Sequence, residues 1–133
     1  MDVLIVDNDL DDSAIYKKIL LSFDNTHKVK VVNDGMEALS LLHSSDYRPD
    51  LVLLDHDLPR MFCLTFLKKL RMDPDLKNLF VVVLSTVCSD QHLNQFQSLG
   101  AACRIKPAAF GEMEDLFSRI LESARGQRPE LDQ

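Results

Sequence analysis

The sequence predicts an α/β fold, a doubly wound five-stranded parallel sheet with helices on both faces. Two observations carry this. Short β-branched runs alternate with helical patterns along the 133-residue chain, and such alternation implies a parallel sheet built from crossover units. The strand-like runs are also continuously apolar, as strands buried on both faces are. Right-handed crossovers leave few topologies, and the expected strand order is 2-1-3-4-5.

Each element has its own signal. "DVLIV" (2–6) reads as the first strand, and a helix over about 11–23 follows with Ile15, Ile19 and Phe23 at four-residue spacing. "KVKVVN" (28–33) is the second strand, and "DGMEALSLLH" (34–43) is a helix with Met36, Leu39 and Leu42 on one face. Leu51–Asp55 is the third strand, before a helix over about 61–71 with Leu64, Leu67 and Leu70 inward. "DPDLKN" (73–78) is a turn-rich break, and "LFVVVLS" (79–85) is the fourth strand. "DQHLNQFQSLG" (90–100) is a helix with Leu93, Phe96 and Leu99 inward, closed by a glycine. "ACRIK" (102–106) is the fifth strand, and Met113, Leu116, Phe117, Ile120 and Leu121 mark a last amphipathic helix.

Composition bounds the function. With 46% hydrophobic and 27% charged residues, the chain is too apolar for disorder and makes one domain over 1–125, with a tail over 126–133 that lacks a core pattern. A net charge of −6 argues against a nucleic-acid surface. "MDVLIVDND" opens on an acidic residue, and its apolar run is too short for a signal peptide or a membrane span. The expected setting is cytoplasmic. Cys63, Cys88 and Cys103 are odd in number and lack close metal-type spacing, so they are expected to stay reduced as small buried hydrophobes. A redox pair of Cys88 with Cys103 is the weaker reading.

The chemistry lies where strands end. "PDLVLLDHDLPR" (49–60) drives four apolar residues straight into Asp55 and Asp57. In a doubly wound sheet, ligands sit outside the carboxyl ends of strands, at the point where strand order reverses. Asp7, Asn8 and Asp9 follow strand one, and Asp55, His56 and Asp57 follow strand three. Ser85 and Thr86 follow strand four, and Lys106-Pro107 follows strand five. With order 2-1-3-4-5 these groups converge. Crowded carboxylates repel unless a cation sits among them, and oxygen donors with few protein ligands suit Mg²⁺. A metal-bound carboxylate nucleophile, a hydroxyl and a lysine are the equipment of phosphoryl transfer.

At these residues the sequence resembles the response-regulator receiver domains (CheY-like), which have a flavodoxin-like fold. The resemblance spans about residues 2–124 and rests on "LIVDND", "DGMEAL", "PDLVLLDHDLP", "FLKKLRMDPDLKNLFVVVLST" and "IKP". It implies that Asp55 is the phosphoacceptor and that Mg²⁺ is held by Asp7, Asn8, Asp55 and the backbone carbonyl of Asp57. It further implies that Ser85, with Thr86 as its competitor, and Lys106 contact the phosphoryl group, and that the Lys106–Pro107 bond is cis. Such proteins accept phosphate from a sensor histidine kinase or a phosphotransfer protein. They catalyse only their own Mg²⁺-dependent phosphorylation and dephosphorylation. "DPDLKNL" and "LDxDLP" are most similar to stand-alone receivers that partner phytochrome-type kinases. With no output domain, the signal would pass to a downstream protein target, with no nucleic acid and no membrane involved.

Four positions depart from the family pattern. Asn8 replaces the second acid, and one negative charge is lost. Cys63 stands where the family has a glycine of positive φ, so the residue is strained by roughly 1–2 kcal/mol or the loop takes another path. Cys103 replaces an aromatic switch residue. The span from Ser85 to Lys106 is about one residue short, which points to a rearranged loop after strand four. Asn8, Cys63 and Cys103 favour a second reading, a degenerate pseudo-receiver that binds proteins without cycling phosphate. A third reading, an enzyme of the haloacid-dehalogenase type with Asp57 as general acid, matches "LVLLDHDLP" only superficially.

The bland readings are equally specific. Asp9 is expected to cap the first helix rather than bind metal. His56 is expected to be a partly exposed side chain near the pocket, neither metal ligand nor second phosphoacceptor. His27, His43 and His92 are expected to be isolated on the surface.

Overall fold

The computed structural model describes residues 1–44, 46–58 and 61–126. Its elements alternate without exception: β1 (Asp2–Val6), α1 (Leu10–Phe23), β2 (Lys28–Val32), α2 (Gly35–Ser44), β3 (Leu51–Asp55), α3 (Cys63–Met72), β4 (Val81–Ser85), α4 (Asp90–Ser98), β5 (Ala102–Ile105) and α5 (Phe110–Gly126). The five strands are parallel and lie in the order β2-β1-β3-β4-β5. The expected doubly wound sheet is therefore present.

β3 shows why the apolar runs are continuous. Successive strand side chains point to opposite faces. Val52 and Leu54 accordingly pack with Leu42 of α2, Phe66 of α3 and Phe96 of α4. Leu51 and Leu53 pack with Ile19 of α1 and Phe117 of α5 on the other side. Both faces are dry, and each fully buried leucine contributes roughly 2 kcal/mol.

Several local expectations shift. α1 buries Tyr16, Ile19 and Leu20, whereas Ile15 and Phe23 are 40% and 43% exposed. The buried stripe is thus rotated from the expected one, with the Tyr16 ring packed at a tilt against Phe117 of α5, centroids 5.2 Å apart. Met36 is likewise exposed, while Leu39 and Leu42 are buried. Pairing of β4 begins at Val81, opposite Val52, and Leu79 instead offers its carbonyl to Arg71 at 2.8 Å. Gly100 closes α4 with φ +69°, a backbone conformation that costs glycine nothing sterically. Cys63 opens α3, so the loop takes a helical path there and needs no positive φ. The tail lies beyond the described residues from position 127 on.

Backbone bonds extend the ladder past the strand ends. The amide of Asp7 donates to the carbonyl of Val32 at 3.0 Å, that of His56 to Leu84 at 3.0 Å and that of Lys106 to Ser85 at 2.7 Å. The residues after β1, β3, β4 and β5 are thereby aligned at one edge of the sheet. No helix among the described residues is long and apolar enough to cross a membrane.

Candidate functional site

Asp55 ends β3 and Asp7 follows β1, on neighbouring strands with Val6 opposite Leu54. Their carboxyl groups interact directly. Asp7 is 1% exposed, and its Oδ1 accepts the amide of Asp9 at 2.8 Å. Burial pushes the Asp7 carboxyl up from 3.8 to about 7. The Asp9 amide pulls the other way, the charge of Asp55 adds to the rise, and Lys106 offsets part of it. Such a pair shares a proton or takes a cation.

Lys106 reaches into the same spot from the end of β5. Its Nζ lies 3.2 Å from Asp55 Oδ1 and 3.4 Å from Asp12 Oδ2, with the lysine and Asp55 side chains 16% and 11% exposed. Burial by itself would lower the ammonium's pKa, but Tyr16, Asp55 and Asp7 outweigh it, and the net direction is upward. Lys106 stays charged. It does so without a cis bond: no cis peptide occurs among the described residues, so Lys106–Pro107 is trans, the commoner X–Pro form. The expectation of a cis bond is corrected.

Asp9 caps α1, accepting from the amides of Asp11 and Asp12. This sets the helix so that Asp12, one turn on, faces Lys106. Asp12 carried no expectation from the sequence. An acid in the first turn of a helix is explained by the helix dipole alone, and only its three-residue spacing from Asp9 hinted at this side of the helix.

Asn8 and Asp57 sit at the mouth. With His56, Phe62, Cys63 and His92 they line a cleft of about 510 Å³. The Asp57 amide faces Asp55 Oδ1 at 3.4 Å, while its side chain is 80% exposed, so of Asp57 only the backbone approaches Asp55. Among the described residues no three His, Cys, Asp or Glu side chains group as a metal site. The oxygen set of Asp7, Asn8, Asp55 and the Asp57 carbonyl nevertheless suits a hard cation that keeps several waters.

Ser85 departs from this convergence. Its hydroxyl donates to the carbonyl of Val87 at 2.6 Å, accepts the Val87 amide at 3.2 Å and lies 3.2 Å from His56 Nδ1. Ser85 is buried and Thr86 exposed. The hydroxyl of Ser85 is thus engaged by Val87 and His56 rather than by Asp55.

The histidines and cysteines need correction too. His92 is not isolated; its ring packs 4.8 Å from that of His56, which meets Phe96 edge-on. His27 is buried, its Nδ1 2.9 Å from the amino-terminal nitrogen of Met1, and His43 pairs with Asp73 at 3.2 Å. Cys88, after β4, and Cys103, on β5, are joined through their sulfurs with Cα atoms 7.2 Å apart. Cys63 remains a free buried thiol, pushed up to about 11 by burial.

Comparison with known proteins finds the same family by sequence and by fold. The family model of the response regulator receiver domain matches residues 3–118. The response regulator Rcp1 of Synechocystis sp. is 27% identical over 123 residues, covering 89% of this chain and 82% of that one. The phosphorylated cyanobacterial phytochrome response regulator RcpA superposes with a TM-score of 0.82 at 31% identity, covering 91% of both chains. The Mn²⁺-bound form of Rcp1 superposes with a TM-score of 0.77 at 26% identity, covering 86% and 87%.

Proposed function

We propose a function for this chain, which belongs to the response regulator receiver domain family of two-component signalling: it accepts a phosphoryl group on Asp55 and signals by protein binding. The observation that carries this reading is the Asp7–Asp55–Lys106 cluster, with Asp55 Oδ1 held 3.2 Å from the Lys106 ammonium. Strand pairing holds the carboxylate in place before any phosphodonor arrives.

Asp55 is the nucleophile, attacking the phosphorus of a phosphohistidine while the histidine nitrogen leaves. Lys106 pairs with the phosphoryl oxygens, a charge-assisted contact that strengthens as a dianion replaces a carboxylate. Mg²⁺, held by Asp7, Asn8, Asp55 and the Asp57 carbonyl, would neutralise the developing negative charge. Asp7 must lose its proton for that role. Ser85, or Thr86 in its stead, would hydrogen-bond a phosphoryl oxygen once the turn at 85–87 opens.

The phosphodonor is a sensor histidine kinase or a phosphotransfer protein. The likeness to a cyanobacterial phytochrome response regulator supports a phytochrome-type kinase. The net charge of −6 disfavours attraction to nucleic acid or anionic lipid, which supports a cytoplasmic protein target.

A second reading, a phosphorylation-independent binding module, draws support from Ser85, whose hydroxyl is turned to Val87. One experiment separates the two. Intact-mass spectrometry after incubation with acetyl phosphate and Mg²⁺ is expected to show one added phosphoryl group, mapped to Asp55. Unchanged mass, where an ordinary receiver is labelled, would remove the phosphoacceptor reading and leave the binding module.

A further inference from the structure

We propose that Cys88 and Cys103 form a reversible thiol–disulfide site that locks the loop carrying Ser85. The effect of the site on phosphorylation rests on the phosphoacceptor reading above; the site and its grip on the loop do not.

The placement is specific. Cys88 lies in the loop over 86–89, between Ser85 and the Ser89 cap of α4, whose hydroxyl oxygen accepts the amide of His92. Cys103 lies on β5, opposite Val83 of β4, three residues before Lys106. The two sulfurs are joined across 15 residues of sequence. Cys88 is half-buried and Cys103 buried, so one sulfur can meet a small reagent and the other is held in the core. Cys63, the remaining thiol, is buried at the start of α3 and outside this pair.

The chemistry balances with a low-molecular-weight disulfide such as oxidised glutathione. The Cys88 thiolate attacks one sulfur of that disulfide, and the first glutathione leaves as a thiolate. The Cys103 thiolate then attacks the Cys88 sulfur of the mixed disulfide, and the second glutathione leaves. Two protein thiols lose two electrons and two protons, and one glutathione disulfide becomes two thiols. A dithiol reductant reverses both steps.

The consequence follows from Ser85. Its hydroxyl closes a turn on Val87, through the 2.6 Å bond to the carbonyl and the 3.2 Å bond from the amide. To reach a phosphoryl group on Asp55 that turn must open. A link from Cys88, the residue after Val87, to β5 ties the loop to the sheet and favours the closed turn. Oxidation thus selects the conformation that cannot use Ser85, a shift between two populated states.

Three readouts on the full-length chain test this. After incubation with oxidised glutathione, alkylation and peptide mapping are expected to find Cys88 linked to Cys103 and only Cys63 free. Hydrogen exchange at the amides over 86–89 is expected to slow on oxidation and to recover with dithiothreitol. Labelling by acetyl phosphate with Mg²⁺ is expected to be on the order of tenfold slower in the oxidised protein. Cys88→Ser, at the accessible position, is expected to label equally with and without oxidant. If all three thiols remain alkylatable after oxidant, the site itself is overturned. If the bridge forms but exchange over 86–89 is unchanged, the locking of the loop is overturned. Absence of labelling in both redox states refutes the phosphoacceptor reading alone, since mapping and exchange still decide the bridge.

Discussion

The two flanks of the sheet edge are built differently. On the β1–β3 flank, Asp7, Asp55, Asp12 and Lys106 converge with charged contacts of 3.2 and 3.4 Å. On the β4 flank, Ser85 turns to Val87 and His56, beside an aromatic cluster of His56, His92 and Phe96. Asp7 and Asp55 on the first flank are positioned by strand ladders, whose geometry a single side chain cannot easily move. The second is positioned by a short loop, where a hydroxyl can choose between partners. The contrast separates the group that would react from the group that would report.

The largest expected effect tests that separation. Asp55→Asn should abolish labelling by acetyl phosphate, because an amide cannot serve as the nucleophile. Ser85→Ala should slow it by no more than about tenfold, the worth of roughly one hydrogen bond. Rates from intact-mass time courses check both. Equal losses in the two variants would erase the distinction between the flanks.

The next effect is pH dependence in the absence of metal. Asp7 is raised from 3.8 to about 7 in the folded protein, so the folded state holds its proton more tightly than the unfolded chain. This contribution to stability is fully present below about pH 4 and is lost as pH rises through about 7. In chelator the protein should lose on the order of 2–3 kcal/mol between pH 5 and pH 8. Lys106 stays charged throughout that window. Denaturant melts should show a much flatter slope for Asp7→Asn and an unchanged slope for Ser85→Ala. A wild-type slope in Asp7→Asn would place the titrating group elsewhere.

Removing the central cation should cost somewhat less. Lys106→Ala leaves Asp55 and Asp12 without their ammonium partner, a loss of about 2 kcal/mol at pH 8. It should still accept phosphate while losing most of the phosphorylation-induced change in its NMR spectrum. Shift perturbations identical to wild type would deny Lys106 a part in the response.

The smallest effect concerns the mouth of the site. Asn8→Asp adds a carboxylate beside Asp7 and Asp55, which should tighten Mg²⁺ binding by about 1 kcal/mol. In chelator the same variant should melt below wild type. Thermal melts across a Mg²⁺ titration would show both shifts, of opposite sign. If neither appears, Asn8 does not face the cation.

Much of the first flank was legible from residue patterns. Four consecutive apolar residues, Leu51–Leu54, announce a strand buried on both faces, and Asp55 directly after them must emerge at the sheet edge. Asp7 and Lys106 stand in the same relation to their own strands. Asp9 reads as a helix cap because its neighbours are helical. The second flank was far less legible. Nothing near Ser85 in sequence says that its hydroxyl will prefer the carbonyl of Val87. His92 carries no signal for His56, since their pairing depends on how α4 lies over the end of β3. Even within α1, Ile15 and Phe23 fit a helical stripe as well as Tyr16 and Leu20 do. Contact with α5 selects between the two stripes.

The sequence alone determined the elements, their parallel arrangement and the kinds of group that gather where strands end. Those properties depend on short-range periodicity and on the rule that ligands sit beyond the carboxyl ends of parallel strands. Only the tertiary structure decided that Asp12 meets Lys106 across 94 positions, that Ser85 faces Val87, and that Cys88 and Cys103 touch. Each of these is a choice among partners that become neighbours only after the crossovers fold. A side chain's contact is set by distances of a few ångströms in space, which residue spacing encodes only within a turn of helix or a pair of strand positions.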